Sequence, residues 1–496
     1  MLGFILLLMP FAIQVLNTPA GYEPTGFIAG GYDYATFIAK MQWGAEGHWT
    51  YINRYTTEPT ERAPIYGFYL LLGHLSAWTG MSLVWVYHLA RALLGSLGIV
   101  LLWAFLKAHI KSRTWLVYLL SITCMAGYWE YIDGVLGTSV GKMDLFLQAK
   151  LGTVFFTYPH YLVDLLAFMA IFHAYLGNMK IRKRIVFAAV GGFLLSAIHV
   201  FLMALVAMVL LGHGALNKRL KEALTVATAS TLAALPYATI QYIAFSNLHW
   251  LQVWRDATNW PWVNPLILLL AIHGVTGLLA WLNIAREVRV RQISFWTVWV
   301  LVASVMSYAM PLQNKIEYTF FLALPLGTLA SYPAERFLIW LENKKPAVNG
   351  AGVVLLLLLT VAYPTVWMVQ LFKPGLSTSG TYPAYIPVEY VETVKSLDKE
   401  PAIVLCHTYA GNYLPALTAN LKPYCAHPME TQKFDVKDQK VKAFFKGNCP
   451  DLPRESGAQY VVCEDIYTSD SNLQRLTEQL GRPVISKEHV TVWKIK

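Results

Sequence analysis

A single carboxylate between two tyrosines is the strongest candidate for a catalytic group in this chain. Asp33 stands in the run Gly-Gly-Tyr-Asp-Tyr at residues 30–34, directly after the first apolar segment. The residues that follow, 35–47, have the spacing of an amphipathic helix. A carboxylate placed just beyond an apolar span can accept a proton from a hydroxyl nucleophile. We therefore predict that Asp33 is a catalytic carboxylate.

The segments that must position Asp33 are those of a membrane protein. Of the 496 residues, 56% are hydrophobic and 14% are charged, and the mean hydropathy is +0.44. A soluble protein carries about 25% charged residues, so a soluble globular class is excluded. Apolar runs near the length of a bilayer recur along the chain. Residues 1–16 lack a basic leading region and a good cleavage site, so we predict a retained first span rather than a signal peptide.

The net charge of +10 is concentrated in the apolar part of the chain. Residues 385–496 hold 14 basic and 14 acidic side chains, so the whole excess lies in residues 1–384. Sixteen of the basic residues there fall in five clusters, at 107–113, 180–184, 218–221, 286–291 and 336–345. Basic clusters that flank membrane spans are typical of cytoplasmic loops, and this interpretation replaces that of a nucleic-acid-binding surface.

Eleven spans with a cytoplasmic N-terminus put all five clusters on the cytoplasmic side. The same topology puts loops 17–62, 129–156, 247–262 and 312–317 outside, together with everything after residue 371. The stretch 185–211 is too long for one span and is interrupted by Gly191, Gly192 and His199, so it predicts two short helices. Residues 63–75 are too short to span and predict a segment that lies along the membrane or leads into the next helix.

The C-terminal stretch predicts a small α/β domain over residues 384–496, outside the membrane, after a membrane module over residues 1–383. Strand patterns at 402–407, 459–463 and 490–495 alternate with helical patterns at 411–418, 436–445 and 471–480. This stretch also contains four of the five cysteines, Cys406, Cys425, Cys449 and Cys463. Disulfides and free buried thiols both remain open, whereas the Cys-His spacings do not match those of structural zinc sites.

These features resemble the GT-C glycosyltransferase superfamily, and within it the bacterial branch related to glycosyltransferase family 39, ArnT and the PMT-like membrane proteins. The likeness rests on Tyr-Asp-Tyr at 32–34, Lys-Met-Gln-Trp-Gly-Ala-Glu-Gly at 40–47, Tyr-Thr-Thr-Glu-Pro at 55–59 and Phe-Tyr-Leu-Leu-Leu-Gly at 68–73. Two C-terminal stretches add to it, Gly-Asn-Tyr-Leu-Pro-Ala at 411–416 and His-Pro-Met-Glu-Thr at 427–431. It implies a polytopic α-helical GT-C fold with about 11 spans and a small extracytoplasmic α/β domain.

The resemblance also implies an inverting glycosyltransferase of the inner or plasma membrane. Its donor would be a polyprenyl-phosphate sugar, and its acceptor a lipid, glycan or protein on the extracytoplasmic face, with no nucleic acid involved. Asp33 matches the first-loop aspartate that acts as general base. Candidates for a second catalytic carboxylate are Glu58, Glu130 and Asp133, and candidates for binding the donor phosphate are Lys315, Arg91, His160 and Arg255. No Asp-x-Asp metal motif occurs in the outer loops, so a metal-free enzyme without a cofactor is favoured and metal dependence stays open.

Two alternatives belong to other functional classes. A secondary transporter would show inverted repeats and charges near the middle of the membrane, whereas here no repeat is evident and the charges lie near one face. A non-catalytic assembly protein would use the outer domain as its binding module.

Arg91 and Asp164 lie inside predicted spans, where ionisable groups are costly, and they could instead be structurally paired.

Overall fold

The computed structural model describes residues 1–28, 31–110, 113–124, 149–248, 250–251, 273–308, 315–362, 364–366, 369, 373–377 and 383–495. The chain packs into two compact units. The first comprises Met1–Leu7, Arg91–Thr239 and Asn259–Gln370, and the second comprises Leu8–Ala90, Ile240–Thr258 and Leu371–Lys496. The second unit therefore contains both the first loop and the C-terminal stretch, which the sequence prediction assigned to separate domains.

Helices dominate the chain up to residue 362. In chain order they are α1 (Leu2–Leu16), α2 (Gly31–Ala45), α3 (Gly67–Thr79), α4 (Leu83–His109), α5 (Thr114–Ile122), α6 (Leu151–Val154), α7 (Pro159–Leu176), α8 (Ile181–His199), α9 (Leu202–Leu216), α10 (Leu220–Asn247), α11 (Gly274–Arg289), α12 (Phe295–Tyr308), the 3₁₀ helix Lys315–Thr319, α13 (Ala323–Glu342), α14 (Pro346–Leu357) and the π-helical turn Leu358–Ala362.

Four helical segments in the described parts of the chain are long and apolar enough to cross a membrane. They are Leu83–His109, Pro159–Leu176, Leu220–Asn247 and Pro346–Val366. Shorter apolar helices accompany them at Leu2–Leu16, Leu202–Leu216 and Phe295–Ser307. These helices are those of an integral membrane protein. The count of eleven spans and the orientation of the termini stay predictions.

The break within the predicted pair of helices at 185–211 falls at its histidine and not at its glycines. Helix α8 continues through Gly191 and Gly192 and ends at His199, and α9 begins at Leu202. A Cβ on Gly191 would lie 2.8 Å from the carbonyl oxygen of Ala167 in α7, and one on Gly192 would lie 2.1 Å from the carbonyl oxygen of Ser230 in α10. These glycines are contact points between helices, because only a residue without a side chain lets the backbones approach so closely.

The C-terminal part of the second unit is built around a five-stranded sheet. Its strands are β3 (Ala402–Leu405), β4 (Leu421–Pro423), β5 (Tyr460–Glu464), β6 (Ile485–Ser486) and β7 (Val490–Lys494), and the helices are α15 (Val388–Leu397), α16 (Thr408–Leu417), α17 (Phe434–Phe445), α18 (Leu452–Glu455) and α19 (Asp470–Leu480). The order of the strands in the sheet is β4-β3-β5-β7-β6. Strands β4, β3 and β5 are parallel, whereas β5, β7 and β6 pair in an antiparallel way. The strands and helices expected from the sequence agree with these bounds to within three residues.

A short ribbon connects this sheet region to the first loop. Strand β1 (Tyr22–Pro24) pairs in an antiparallel way with β2 (Tyr385–Pro387). Helix α2 then packs on α3 through two glycines: a Cβ on Gly44 would lie 2.2 Å from the carbonyl oxygen of Leu70, and one on Gly73 would lie 2.0 Å from that of Met41. The helix that carries Asp33 is thus fixed by direct contact between two backbones.

Candidate active site

Asp33 lies in the first turn of α2, and its side chain is 49% exposed. Its Oδ1 atom is 3.4 Å from Nε2 of His427, whose side chain is only 4% exposed. The pair joins the first loop to the C-terminal stretch within the second unit. One carboxylate edge thus faces a buried imidazole, while the side chain as a whole stays accessible to a substrate.

The hydrogen bonds of His427 define which ring nitrogen carries the proton. The backbone N–H of Met429 donates to Nδ1 of His427 over 3.2 Å. A neutral imidazole has one donor and one acceptor nitrogen, so an accepting Nδ1 leaves the proton on Nε2. The protonated Nε2 is therefore the ring atom that lies 3.4 Å from the Asp33 carboxylate. A polar N–H group this close to a carboxylate can help to orient it for the proton transfer that a general base performs.

A buried ion pair fixes α2 to the same C-terminal segment. Nζ of Lys40 lies 2.8 Å from Oε1 of Glu430, and the two side chains are 2% and 3% exposed. Lys40 also donates to Thr36 Oγ1 over 3.1 Å. The Tyr51 hydroxyl donates to the other carboxylate oxygen over 3.4 Å, and the Asn53 amide donates to the backbone oxygen of Glu430 over 2.7 Å. Each charge is thus compensated by its partner and by further hydrogen bonds, as a buried pair requires.

The residue that follows Glu430 completes the connection. The Thr431 hydroxyl donates to the backbone oxygen of Tyr55 over 2.7 Å and accepts from the backbone N–H groups of Ala426 and His427 over 3.1 Å each. The Tyr55 hydroxyl donates to the backbone oxygen of Asn412 over 3.1 Å. The position of the His427 backbone, and with it the contact to Asp33, is therefore set by hydrogen bonds to the first loop.

Glu58 lies in the same first loop and is held as a carboxylate. Nζ of Lys437 donates to Oε2 of Glu58 over 2.7 Å, and the Thr56 hydroxyl donates to the same oxygen. Partial burial acts to raise the pKa of Glu58, but the hydrogen bonds from Lys437 and Thr56 lower it below its ordinary value. This environment suits a base or an electrostatic stabiliser better than a proton donor. A catalytic role for Glu58 stays a prediction.

The other predicted site residues have different placements. Glu130, Asp133 and Arg255 lie outside the described residues. Lys315 is the first residue of the 3₁₀ helix Lys315–Thr319. Arg91 is fully buried in the first unit and donates to the backbone oxygens of Leu7 and Phe155 over 2.8 and 3.4 Å.

His160 and Asp164, both on α7, lie beside a histidine to which the sequence assigned no role. The ring centroids of His160 and His199 are 5.3 Å apart. Nδ1 of His199 lies 2.6 Å from Oδ2 of Asp164. The partner of Asp164 is therefore His199.

The sequence prediction assigned no role to His427, Glu430 or Lys437. The stretch at 427–431 supported the family resemblance, but it lies almost 400 residues from Asp33 and no local pattern links the two. The one signal available was the combination of a histidine and a glutamate in a short stretch of a domain predicted to lie on the same side of the membrane as Asp33.

All five cysteines are free thiols. Burial raises the pKa of Cys425 and Cys463 to about 12, so both stay protonated. Within the described ranges, no group of three or more His, Cys, Asp and Glu side chains is arranged to hold a metal ion.

No family model and no curated protein matches the chain. Its fold is similar to that of the Archaeoglobus fulgidus oligosaccharyltransferase in the apo form, with 12% identity over 93% of this chain and 69% of that chain and a TM-score of 0.53. It is also similar to ArnT from Cupriavidus metallidurans in the apo state, with 12% identity over 99% of this chain and 97% of that chain and a TM-score of 0.51. The same ArnT bound to undecaprenyl phosphate gives 13% identity, the same coverage and the same TM-score of 0.51. The chain therefore has a GT-C fold.

Proposed function

We propose that this protein is a glycosyltransferase that moves a sugar from a polyprenyl-phosphate carrier to an acceptor hydroxyl on the extracytoplasmic face of the membrane. The observation that carries the proposal is the accessible carboxylate of Asp33 beside the Nε2–H of buried His427. The GT-C fold supports it, because one protein of this fold, ArnT, is known in a complex with undecaprenyl phosphate.

In the proposed reaction, Asp33 accepts the proton of the acceptor hydroxyl while that oxygen attacks the anomeric carbon of the sugar. The bond between the anomeric carbon and the phosphate oxygen breaks, and polyprenyl phosphate leaves with the bonding electrons. Attack on the face opposite the leaving group inverts the anomeric centre. In this reaction His427, whose Nε2 lies 3.4 Å from the Asp33 carboxylate, orients that carboxylate and does not touch the substrate.

Charge on the leaving phosphate must be balanced by donors in the protein. Lys315, Arg91, His160 and Arg255 are the proposed donors, and Glu58, Glu130 and Asp133 are the proposed sources of a second carboxylate. Further parts of the proposal are an inner or plasma membrane location, a cytoplasmic N-terminus and an extracytoplasmic C-terminal domain.

The test is sugar transfer by the purified full chain in proteoliposomes. Radiolabelled undecaprenyl-phosphate sugars are the donors, and cell-envelope extract supplies the acceptor. Asp33→Asn removes the base while keeping the size of the side chain, and a positioned base contributes about 10²–10⁴-fold, so the rate should fall by that factor. The matched control is Glu61→Gln, an exposed carboxylate of the same loop, which should leave the rate unchanged. Transfer by Asp33→Asn at the wild-type rate would refute the assignment of the base.

A further inference from the structure

The first unit contains a second carboxylate–histidine pair that the proposed reaction does not yet use. Oδ2 of Asp164 on α7 and Nδ1 of His199 at the end of α8 are 2.6 Å apart. The Asp164 side chain is completely buried, whereas that of His199 is 17% exposed. The separation is that of a short, charge-assisted hydrogen bond. The carboxylate is therefore sealed inside the protein, and its partner retains contact with the surroundings.

The second ring nitrogen of His199, Nε2, is the atom that could bind a ligand. Because Nδ1 bonds to Asp164, the other nitrogen, Nε2, lies on the opposite side of the ring. Nε2 makes no hydrogen bond to any residue in the described part of the chain. A buried carboxylate stabilises the cationic form of its histidine partner, in which both nitrogens are donors. Nε2–H is then a charged donor available to an anionic ligand.

Aromatic rings surround this donor. The His199 ring centroid lies 5.0 Å from that of Phe320, 6.0 Å from that of Tyr161, 5.4 Å from that of Phe201 and 5.3 Å from that of His160. An anion that approaches Nε2 therefore meets mainly apolar faces. A phosphate attached to an isoprenoid chain combines these two properties, whereas a fully hydrated anion would lose its water here without replacement.

Two further groups on the 3₁₀ helix bear on the charge of this site. Glu317 on this helix interacts electrostatically with His199. Lys315, two residues earlier, begins the same helix and is one of the proposed phosphate donors. The 3₁₀ helix thus begins with one of the proposed phosphate donors and also contains a carboxylate that interacts with His199.

We propose that Nε2 of His199 binds the phosphate of the polyprenyl carrier, and that Asp164 is the positioning residue that orients the ring and maintains its charge. This inference rests on the proposed function for the identity of the lipid. It adds a phosphate-binding residue that the sequence did not predict. The ring nitrogen that would bind the phosphate lies opposite the one that bonds to the buried carboxylate.

The experiment measures binding of undecaprenyl phosphate to the purified full chain in detergent, with undecaprenol as the ligand that lacks the phosphate. The wild type should prefer the phosphate form. A hydrogen bond to a charged group is worth about 1.5–3 kcal/mol, so His199→Gln should weaken binding of undecaprenyl phosphate by about 10- to 100-fold and leave binding of undecaprenol unchanged. Asp164→Asn should weaken binding in the same direction, because the ring loses the charge that keeps it cationic.

A buried charge left without its partner can destabilise the protein. The double variant Asp164→Asn/His199→Gln removes both charges and keeps two side chains that can hydrogen bond, so it should fold and still lose the preference for phosphate. The control is His213→Gln, a histidine of the same unit that hydrogen bonds to Tyr175 over 2.7 Å, and its affinity should match that of the wild type.

Wild-type affinity of a folded double variant for undecaprenyl phosphate would overturn the inference. Equal affinity of the wild type for phosphatidylglycerol and undecaprenyl phosphate would also overturn it, because the proposed ligand is the polyprenyl carrier. If binding depends on His199 but no donor sugar is ever transferred, the proposed function is wrong and the phosphate site stands. If Asp33→Asn abolishes transfer while His199→Gln binds normally, only the phosphate site is wrong.

Discussion

Asp33 and His427 are separated by 394 positions in the chain, yet Nε2 of the histidine lies 3.4 Å from Oδ1 of the aspartate. The histidine is buried and its Nδ1 accepts a backbone hydrogen bond, so its Nε2–H is fixed in direction before any substrate arrives. A carboxylate oriented in advance loses less entropy when it accepts a proton from the acceptor. The C-terminal stretch therefore places a buried imidazole beside the proposed base of the first loop.

The contribution of His427 is measurable through the difference between two substitutions. His427→Leu removes the donor, and we expect kcat for sugar transfer to fall about tenfold with little change in KM for the lipid donor, because His427 touches the base and not the substrate. His427→Gln retains an N–H donor and should remain closer to the wild type. The control is His489→Gln, in a second histidine–aspartate pair of this unit, where Nδ1 of His489 lies 2.7 Å from Oδ2 of Asp465. Equal kcat values for the Leu and Gln variants would show that the N–H group facing Asp33 has no role.

The Lys40–Glu430 pair predicts a strongly non-additive effect on stability. Either Lys40→Met or Glu430→Gln leaves one charge buried without its partner, which typically costs about 3–5 kcal/mol, so each single variant should have a clearly lower Tm. The double variant Lys40→Met/Glu430→Gln removes both charges and should recover most of the loss. The comparison is a double-mutant cycle of thermal unfolding in detergent. If the loss of stability in the double variant equals the sum of the losses in the two single variants, the pair is not coupled in the folded protein.

How well each residue of this site could be predicted depends on how far apart in the sequence the interacting residues lie. The carboxylate and its helix follow from residues 30–47 alone, although α2 begins at Gly31, four residues before the predicted start at Ala35. The prediction of Asp33 as the base stays untested. Its partner His427 was beyond reach because no periodicity connects two segments that meet only in the tertiary fold.

For the Asp164–His199 pair in the first unit, the sequence indicated one residue of the contact but not the other. Asp164 stood out because a carboxylate inside an apolar span is costly, so the sequence correctly indicated that it needs explanation. The sequence did not reveal that the partner is His199, because that requires knowing that α8 runs through Gly191 and Gly192 and ends beside α7. If the helix ended at those glycines, His199 would not lie at the end of α8 beside α7.

The glycine contact between α2 and α3 predicts that the position of Asp33 depends on a residue far from any chemistry. Gly73→Ala puts a methyl group 2.0 Å from the carbonyl oxygen of Met41, so α2 must move, and we expect about 1–3 kcal/mol of destabilisation together with a fall in transfer activity. Gly350→Ala is the matched control, because this glycine of α14 has open space around the added Cβ, and it should leave activity unchanged. The measurements are the Tm and the transfer rate of both variants, each compared with those of the wild type. Unchanged activity in Gly73→Ala would show that the base tolerates movement of its helix.

Glu464 at the end of β5 predicts a pH dependence of stability that one substitution should remove. Burial raises the pKa of this carboxyl to about 8, with an opposing influence of the nearby Tyr390 hydroxyl and a further increase from the charge of Asp465. Between the ordinary pKa of a glutamate and about 8, the folded protein keeps a proton that the unfolded chain releases. The free energy of unfolding should therefore fall as the pH rises through this range, by up to about 1.4 kcal/mol per pH unit from this group. Glu464→Gln should be no more stable than the wild type near pH 5 and clearly more stable near pH 8, as measured by Tm and by amide exchange of the β5 segment. The exposed Glu478→Gln should follow the wild type at every pH, and parallel curves for all three proteins would contradict the prediction.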